Sequence, residues 1–280
     1  MTFLEDAAGL ADELRSLRRA LHADPELGLE LPRTQRRVLD ALDGLGLEVT
    51  LGVSSTAVTA VLRGERPGPV VLLRGDMDAL PVAEETGLDF ASTNGAMHAC
   101  GHDLHVTGLV GAAKLLAARR DELPGSVIFM FQPGEEADGG AVRMIEEGVL
   151  DAAGERPVAA YGVHVATGRF GVVETRAGTL MAGANELYVT VNGRGGHGSQ
   201  PVTSVDPVPA LLEIGLALQT MVTRRFSVFD PVVVTVTQLS AGQAVNVIPP
   251  AARLGATVRT LSQASVETLI AETRRLADGQ

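Results

Sequence analysis

Apolar and polar positions recur with two different periods along this chain, and each change of period marks an element. Leu4, Ala7, Leu10, Ala11, Leu14, Leu17 and Leu21 follow one another at three- and four-residue spacing, the stripe of an amphipathic helix over about 4–22. A second helix is predicted from Pro32 to Leu45, with proline in its first turn and Gly44-Leu45-Gly46 as its stop. Extended segments follow at 47–53, 57–63 and 69–75. In the last of these Pro69-Val70-Val71-Leu72-Leu73 is a continuous apolar run, as found in a strand covered on both faces. Helices are predicted at 104–120 and 139–149, and further inner strands at Ser126–Phe131 and at 158–165. Buried strands alternating with helices predict an α/β fold, a helix-covered mixed sheet.

The pattern changes around Gly178 to Asn185, where Gly, Ala and Met stand without a clear period. A boundary is predicted there, dividing a larger domain, 1–183, from a smaller one, 184–280. Beyond it a strand at 187–191, a helix at 206–223, strands at 231–239 and 251–260 and a helix at 263–277 give the order β-α-β-β-α. That is one strand short of the split βαβ, ferredoxin-like unit, so the chain is expected to stop inside this domain.

Composition narrows the function classes. The 280 residues, 45% apolar, suffice for one large core or two smaller ones. A net charge of −11 argues against nucleic acid or an anionic membrane as partner, since both need clustered Lys and Arg. The first residues, Met1-Thr2-Phe3-Leu4-Glu5-Asp6, are acidic where a secretory signal is positive, and no apolar run approaches the ~20 residues of a membrane span. The single cysteine, Cys100, cannot form an internal disulfide. A cytoplasmic protein is expected.

The candidate chemistry is concentrated in four short stretches. His98-Ala99-Cys100-Gly101-His102-Asp103-Leu104-His105 packs four common metal-ligand side chains and a carboxylate into eight residues. It is followed by Gln132-Pro133-Gly134-Glu135-Glu136, by Gly162-Val163-His164-Val165 and by Gly195-Gly196-His197-Gly198. Cys100 and His102 fall at a predicted loop-to-helix junction, where residues two apart can converge on one ion, where the helix N-terminus favours a thiolate and where Asp103 is placed to cap the helix. Glu135-Glu136 leaves the carboxyl end of a predicted inner strand, the edge at which sites collect in α/β sheets. One such carboxylate can bind a metal while its neighbour serves as general base. His164 ends another predicted inner strand, in place to add a further ligand. Asp76 and Asp78, closing the strand 69–73, are placed either to bind metal or to orient a ligating histidine, and spacing does not choose between these. Each motif alone also has a plainer reading: a buried Cys, a charged turn, a structural His, a capping Asp.

Taken together the motifs carry a resemblance. Arg19-Ala20-Leu21-His22 with Pro25-Glu26-Leu27, Asp76-Met77-Asp78-Ala79-Leu80-Pro81, His98-Ala99-Cys100-Gly101-His102-Asp103, Gln132-Pro133-Gly134-Glu135-Glu136 and Gly195-Gly196-His197 resemble the M20 family of dinuclear metallopeptidases, in the branch of amidohydrolases acting on hippurate and indole-acetyl-amino acids. The resemblance implies two divalent metal ions (Zn, Mn or Co) bridged by Cys100, with His102, Glu136 and His164 as further ligands and Glu135 as the base that deprotonates a bridging water. It also implies that His197 reaches across a homodimer, formed through the small lid domain, to polarise the scissile carbonyl, and that Asn246 and Arg259 hold the carboxylate end of an N-acyl amino acid. Members of the family are longer and end in a Gly-x-Glu-Asp-Phe segment and a last ligating His. By that comparison this chain is expected to be the front part of such an enzyme. Two alternatives stay open: a catalytically dead metal-binding fragment or assembly subunit of the same fold, and a hydrolase with Cys100 as nucleophile.

Overall fold

In the computed structural model, which describes residues 2–136 and 138–279, the chain forms two compact units, Met1–Gly168 and Arg169–Gln280. The units divide earlier than the predicted 183/184. The intervening segment is exposed almost throughout, and it is tied to the second unit where the Thr179 hydroxyl donates to the Leu261 carbonyl.

The first unit is built on a five-stranded sheet of order β1-β2-β4-β3-β5, with β1 Glu48–Leu51, β2 Val58–Arg63, β3 Arg66–Asp76, β4 Pro124–Gln132 and β5 Ala159–Gly162. The β1-β2 and β2-β4 pairs are antiparallel, while β3 runs parallel to both β4 and β5. Period-two alternation explains the unbroken apolar runs, because each face of the sheet has its own cover. Val127, Phe129 and Phe131 of β4 pack with Leu21, Val38, Val106 and Val110 from the helices α2 (Ala11–His22), α3 (Pro32–Leu42) and α4 (His102–Ala117). Ile128 and Met130, together with Val70 and Leu72 of β3, turn to the opposite face, against Met144 of α5 (Gly140–Glu146) and against Val149.

Two expectations are corrected here. The helix predicted over 4–22 is divided into α1 (Phe3–Gly9) and α2, with a tight turn at Leu10 after the poor helix former Gly9. The strand predicted as inner at 158–165 is instead the four-residue edge strand β5, and its end at Gly162–Val165 is exposed. An apolar run alone does not reveal whether a second neighbour pairs with it.

The second unit holds a three-stranded antiparallel sheet of order β6-β10-β8, with β6 Gly183–Asn192, β8 Val233–Ala241 and β10 Ala251–Thr260. Helices α6 (Pro207–Arg225) and α7 (Gln263–Asp278) cover it. Leu211, Ile214 and Leu218 of α6 meet Ala252, Leu254 and Val258 of β10. The β-α-β-β-α order is as predicted, but the pattern had not shown a small ribbon of β7 (Gly196–His197) and β9 (Val247–Ile248).

Candidate metal centre

The parallel register of β3, β4 and β5 brings their carboxyl ends to one edge of the sheet. Asp76 lies opposite Gln132, and Arg74 opposite Gly162. The residues just beyond these ends are Asp78, Glu135-Glu136 and His164, and the N-terminus of α4 supplies Cys100 and His102. Two glycines permit the approach. Gly101 adopts φ +86°, and a Cβ there would lie 2.3 Å from the Val165 side chain. Gly134 adopts φ +66°, and a Cβ there would meet Leu29 at 2.7 Å.

His102, wholly buried, is the hub. Its Nδ1–H donates to the Asp78 carbonyl at 2.8 Å, which leaves Nε2 with a free lone pair. That Nε2 is buried and has no hydrogen-bond partner in the structure, and the same is true of Glu136 Oε1, 3.8 Å away. Glu135 Oε2 lies 3.9 Å from the same nitrogen. On the other side Cys100 Sγ is 3.5 Å from His164 Nε2, and the His164 Nδ1–H donates to the Val165 carbonyl at 2.6 Å. His102 thus belongs to two groups, Cys100–His102–His164 and His102–Glu135–Glu136, whose ligand atoms lie within 4.8 Å of one another. Ligand atoms about 2.0–2.3 Å from an ion stand at such mutual distances. Buried lone pairs left without donors fit cations that share His102's neighbourhood.

A third group, Asp76–His102–His105, meets the same distance test, but His105 is already committed. Its Nδ1–H donates to Asp76 Oδ1 at 2.5 Å, and its Nε2 accepts the Val165 amide at 2.9 Å. The spacing had left the roles of Asp76 and Asp78 open, and the structure separates them. Asp78 accepts the backbone amides of Glu135 and Glu136 at 2.9 and 3.1 Å, which sets the loop that carries both glutamates. Asp76 faces Arg74 Nη1 at 2.6 Å as well as His105. Burial alone would raise the Asp76 pKa, yet the His105 hydrogen bond and the charges of His102 and Arg74 outweigh it and hold the carboxyl at about 2. Arg74 was not singled out from the sequence, although a lone arginine beside Asp76 at the end of an apolar run was its signal.

Two local expectations fail. Asp103 does not cap α4, whose N-cap is Gly101. It lies buried beneath the helix start, where Oδ2 engages His22 Nδ1 and Arg18 Nε, each at 2.8 Å. Nor does the helix terminus make Cys100 a ready thiolate. Burial and the charges of Glu136, Glu135 and Asp76 push the thiol up to about 11. A thiol held protonated is a poor nucleophile and a good ligand only when a cation displaces its proton. Neighbouring His98 is buried and neutral, its pKa lowered to about 4 by desolvation.

The remaining predicted residues lie in the second unit. His197 is exposed on β7, opposite Val247, and Asn246 precedes β9, its carbonyl accepting the Gly198 amide at 2.8 Å. The ribbon therefore brings these two together. The Ser199 amide and hydroxyl both donate to His197 Nδ1, so the ring proton sits on Nε2. Arg259, on β10, donates from Nη1 to the Thr257 hydroxyl and the Val258 carbonyl, each at 2.9 Å.

Residues 72–275 match the model of Peptidase family M20/M25/M40. The chain belongs to this hydrolase family. It is 39% identical to N-acetylcysteine deacetylase of Bacillus subtilis (strain 168) over 272 residues, 95% of this chain and 70% of that protein. It is 41% identical to IAA-amino acid hydrolase ILR1-like 5 of Arabidopsis thaliana over 260 residues, 92% of this chain and 59% of that protein. Its structure resembles that of a dinuclear metal-binding peptidase of the M20 family from Bacillus subtilis, with TM-score 0.81 and 34% identity over 97% of this chain and 70% of that one. The chain thus spans roughly 60–70% of the length of these relatives. No helix among the described residues is long and apolar enough to cross a membrane.

Proposed function

We propose that this chain is a metal-dependent amidohydrolase that cleaves the amide bond of an N-acyl amino acid or a related small amide. One observation carries the reading: Cys100, His102, His164 and the Glu135-Glu136 pair converge at the carboxyl ends of three parallel strands, with lone pairs of His102 and Glu136 buried and unpartnered. Two divalent cations, zinc, manganese or cobalt, would be held by Cys100, His102, Glu136 and His164 and would supply a Lewis acid for the carbonyl and a water acidic enough to attack at neutral pH.

The chain's own groups divide the rest of the work. Glu135, the more exposed of the two glutamates (40% against 24% for Glu136), takes the proton from the attacking water and returns it to the leaving nitrogen. His197, with its proton on Nε2, donates a hydrogen bond to the carbonyl oxygen as negative charge develops there, acting on the site of a partner subunit in a homodimer formed through the second unit. Asn246 and Arg259 hold the substrate carboxylate, the latter through a fork of N–H donors suited to that planar group. The names of the relatives, a deacetylase of an N-acetyl amino acid and a hydrolase of an indole-acetyl-amino acid conjugate, support this substrate class. The lone cysteine and acidic charge support a reducing, cytoplasmic setting.

The test is turnover of a panel of N-acyl amino acids by the purified chain, stripped of metal and then reloaded with zinc, manganese or cobalt. Hydrolysis that vanishes on stripping and returns on reloading is expected. A stripped protein that keeps its rate refutes the metal mechanism, and a reloaded protein inert across the panel refutes the enzymatic reading.

A further inference from the structure

We infer that His105 is a positioning residue whose Nε2 holds the His164 segment against the start of α4, an inference that rests on the proposed role of His164 as a ligand. The His164 segment is weakly supported by its own strand. β5 is four residues long, pairs among the described residues only with β3, and leads into Val163–Val165, which are exposed. Among the described residues the His164 ring bonds the main chain only at its own neighbour, Val165, and that bond cannot place the ring relative to Cys100.

What places it is Val165, in two ways. Its amide donates to His105 Nε2 at 2.9 Å, and its side chain lies over Gly101, where a Cβ would come within 2.3 Å of it. His105 is in turn immobile. It is buried, its Nδ1–H is held by Asp76 Oδ1 at 2.5 Å, and Asp76 is held by Arg74. An amide can only donate, so the Val165 bond requires a bare Nε2, and the Asp76 carboxylate takes the proton at the other nitrogen. The Arg74–Asp76 ion pair and the hydrogen bonds from His105 to Asp76 and from the Val165 amide to His105 thereby fix an otherwise weakly held strand end. The His105 and His164 rings meet edge to face with centroids 4.8 Å apart. His105 does this work without offering a lone pair to a cation, although it lies within ligand distance of His102.

Two substitutions separate the bonds. His105→Asn places an amide near the Nδ1 position, keeping a donor for Asp76 while falling short of Val165. His105→Gln reaches farther and keeps an acceptor for the Val165 amide. Hydrogen–deuterium exchange of metal-free protein should show the 163–166 segment exchanging ~10-fold faster or more in the Asn variant, near the parental rate in the Gln variant, with β4 protected in both. Zinc affinity should fall ~10–100-fold in the Asn variant, the usual cost of losing an outer partner of a ligand, and recover in large part in the Gln variant. Unchanged exchange at 163–166 in a folded Asn variant overturns the inference whether or not the protein proves to be an enzyme. If the Asn variant loses protection throughout, the decision moves to the unmodified metal-free protein. Nitrogen-15 NMR of its histidines must then show His105 protonated at Nδ1 and bare at Nε2, and the opposite tautomer overturns the inference.

Discussion

Metal loading of this site should release protons, and the number released follows from the groups that surround Cys100. Burial, Glu136, Glu135 and Asp76 hold the thiol at about 11, above its ordinary 9.0. At pH 7.5 only ~0.03% of the metal-free protein then carries a thiolate, by the usual one-proton equilibrium with a pKa of about 11. A cation held by Cys100 would take the thiolate, so the first ion to bind there would expel one proton and a second sharing the same sulfur would expel none from it. Apparent affinity should therefore rise ~10-fold per pH unit below about 11, and ~100-fold between pH 7 and 9. His102 adds to the slope at the acidic end. Burial would lower its pKa, but the Asp78 hydrogen bond and the charges of Asp76 and Asp78 raise it, so a second proton leaves where that ring starts protonated. Calorimetric titration of metal-free protein with zinc, in buffers of different ionisation enthalpy, counts the protons directly. We expect about one or more protons per protein molecule at saturation at pH 7.5 in the parent and about one fewer in Cys100→Ser, whose hydroxyl is not expected to ionise in the same way. Release below ~0.5 proton per protein molecule in the parent, or an affinity of the first ion flat between pH 7 and 9, would refute the assignment of Cys100 as a ligand held protonated by its neighbours. The same shift carries a stability consequence. The folded thiol binds its proton more tightly than the unfolded one, so the metal-free protein loses that contribution as pH rises from about 9 to about 11.

Other outcomes follow from the same geometry. Glu135→Gln should lower the catalytic rate by ~100-fold or more with metal still bound, whereas Glu136→Gln should lose metal; rate assays beside metal analysis would show any exchange of these roles. Mixing inactive His197→Ala protein with inactive Glu135→Gln protein should restore part of the activity through hybrid dimers. Absence of rescue, with subunit exchange demonstrated, would place His197 in cis or outside catalysis. The low pKa of Asp76, at about 2, predicts stability that is present above the ordinary carboxylate range and lost as pH falls from about 4 to 2; acid unfolding of Asp76→Asn should lack that component. Phe129, fully buried between β2 and β3, should cost ~3–5 kcal/mol as Phe129→Ala in denaturant titration, and a cost under ~1 kcal/mol would mean that the sheet is not the core described.

The sequence by itself determined most of the elements that form and marked the candidate residues for the chemistry. Apolar periodicity depends only on local geometry, so it located β4, β10 and α6 almost to their ends, and the clustering of Cys, His and Glu within a few residues marked His98–His105 and Glu135-Glu136 without a structure. Tertiary structure decided what those residues face. Whether the Val158–Val163 run is inner or edge depends on a neighbour that periodicity does not encode, and β5 proved to be an edge. Whether Asp76 and Asp78 bind metal or hold other groups depends on the parallel register of β3 with β4, which sets Asp78 under the Glu135 and Glu136 amides. The protonation of Cys100 turned on its burial and on three carboxylates, Glu136, Glu135 and Asp76, distant in sequence or on another strand's end. His105 looked like one more ligand in a dense motif. Only the fold, by setting Asp76 against its Nδ1–H and the Val165 amide against its Nε2 lone pair, showed both of its nitrogens engaged.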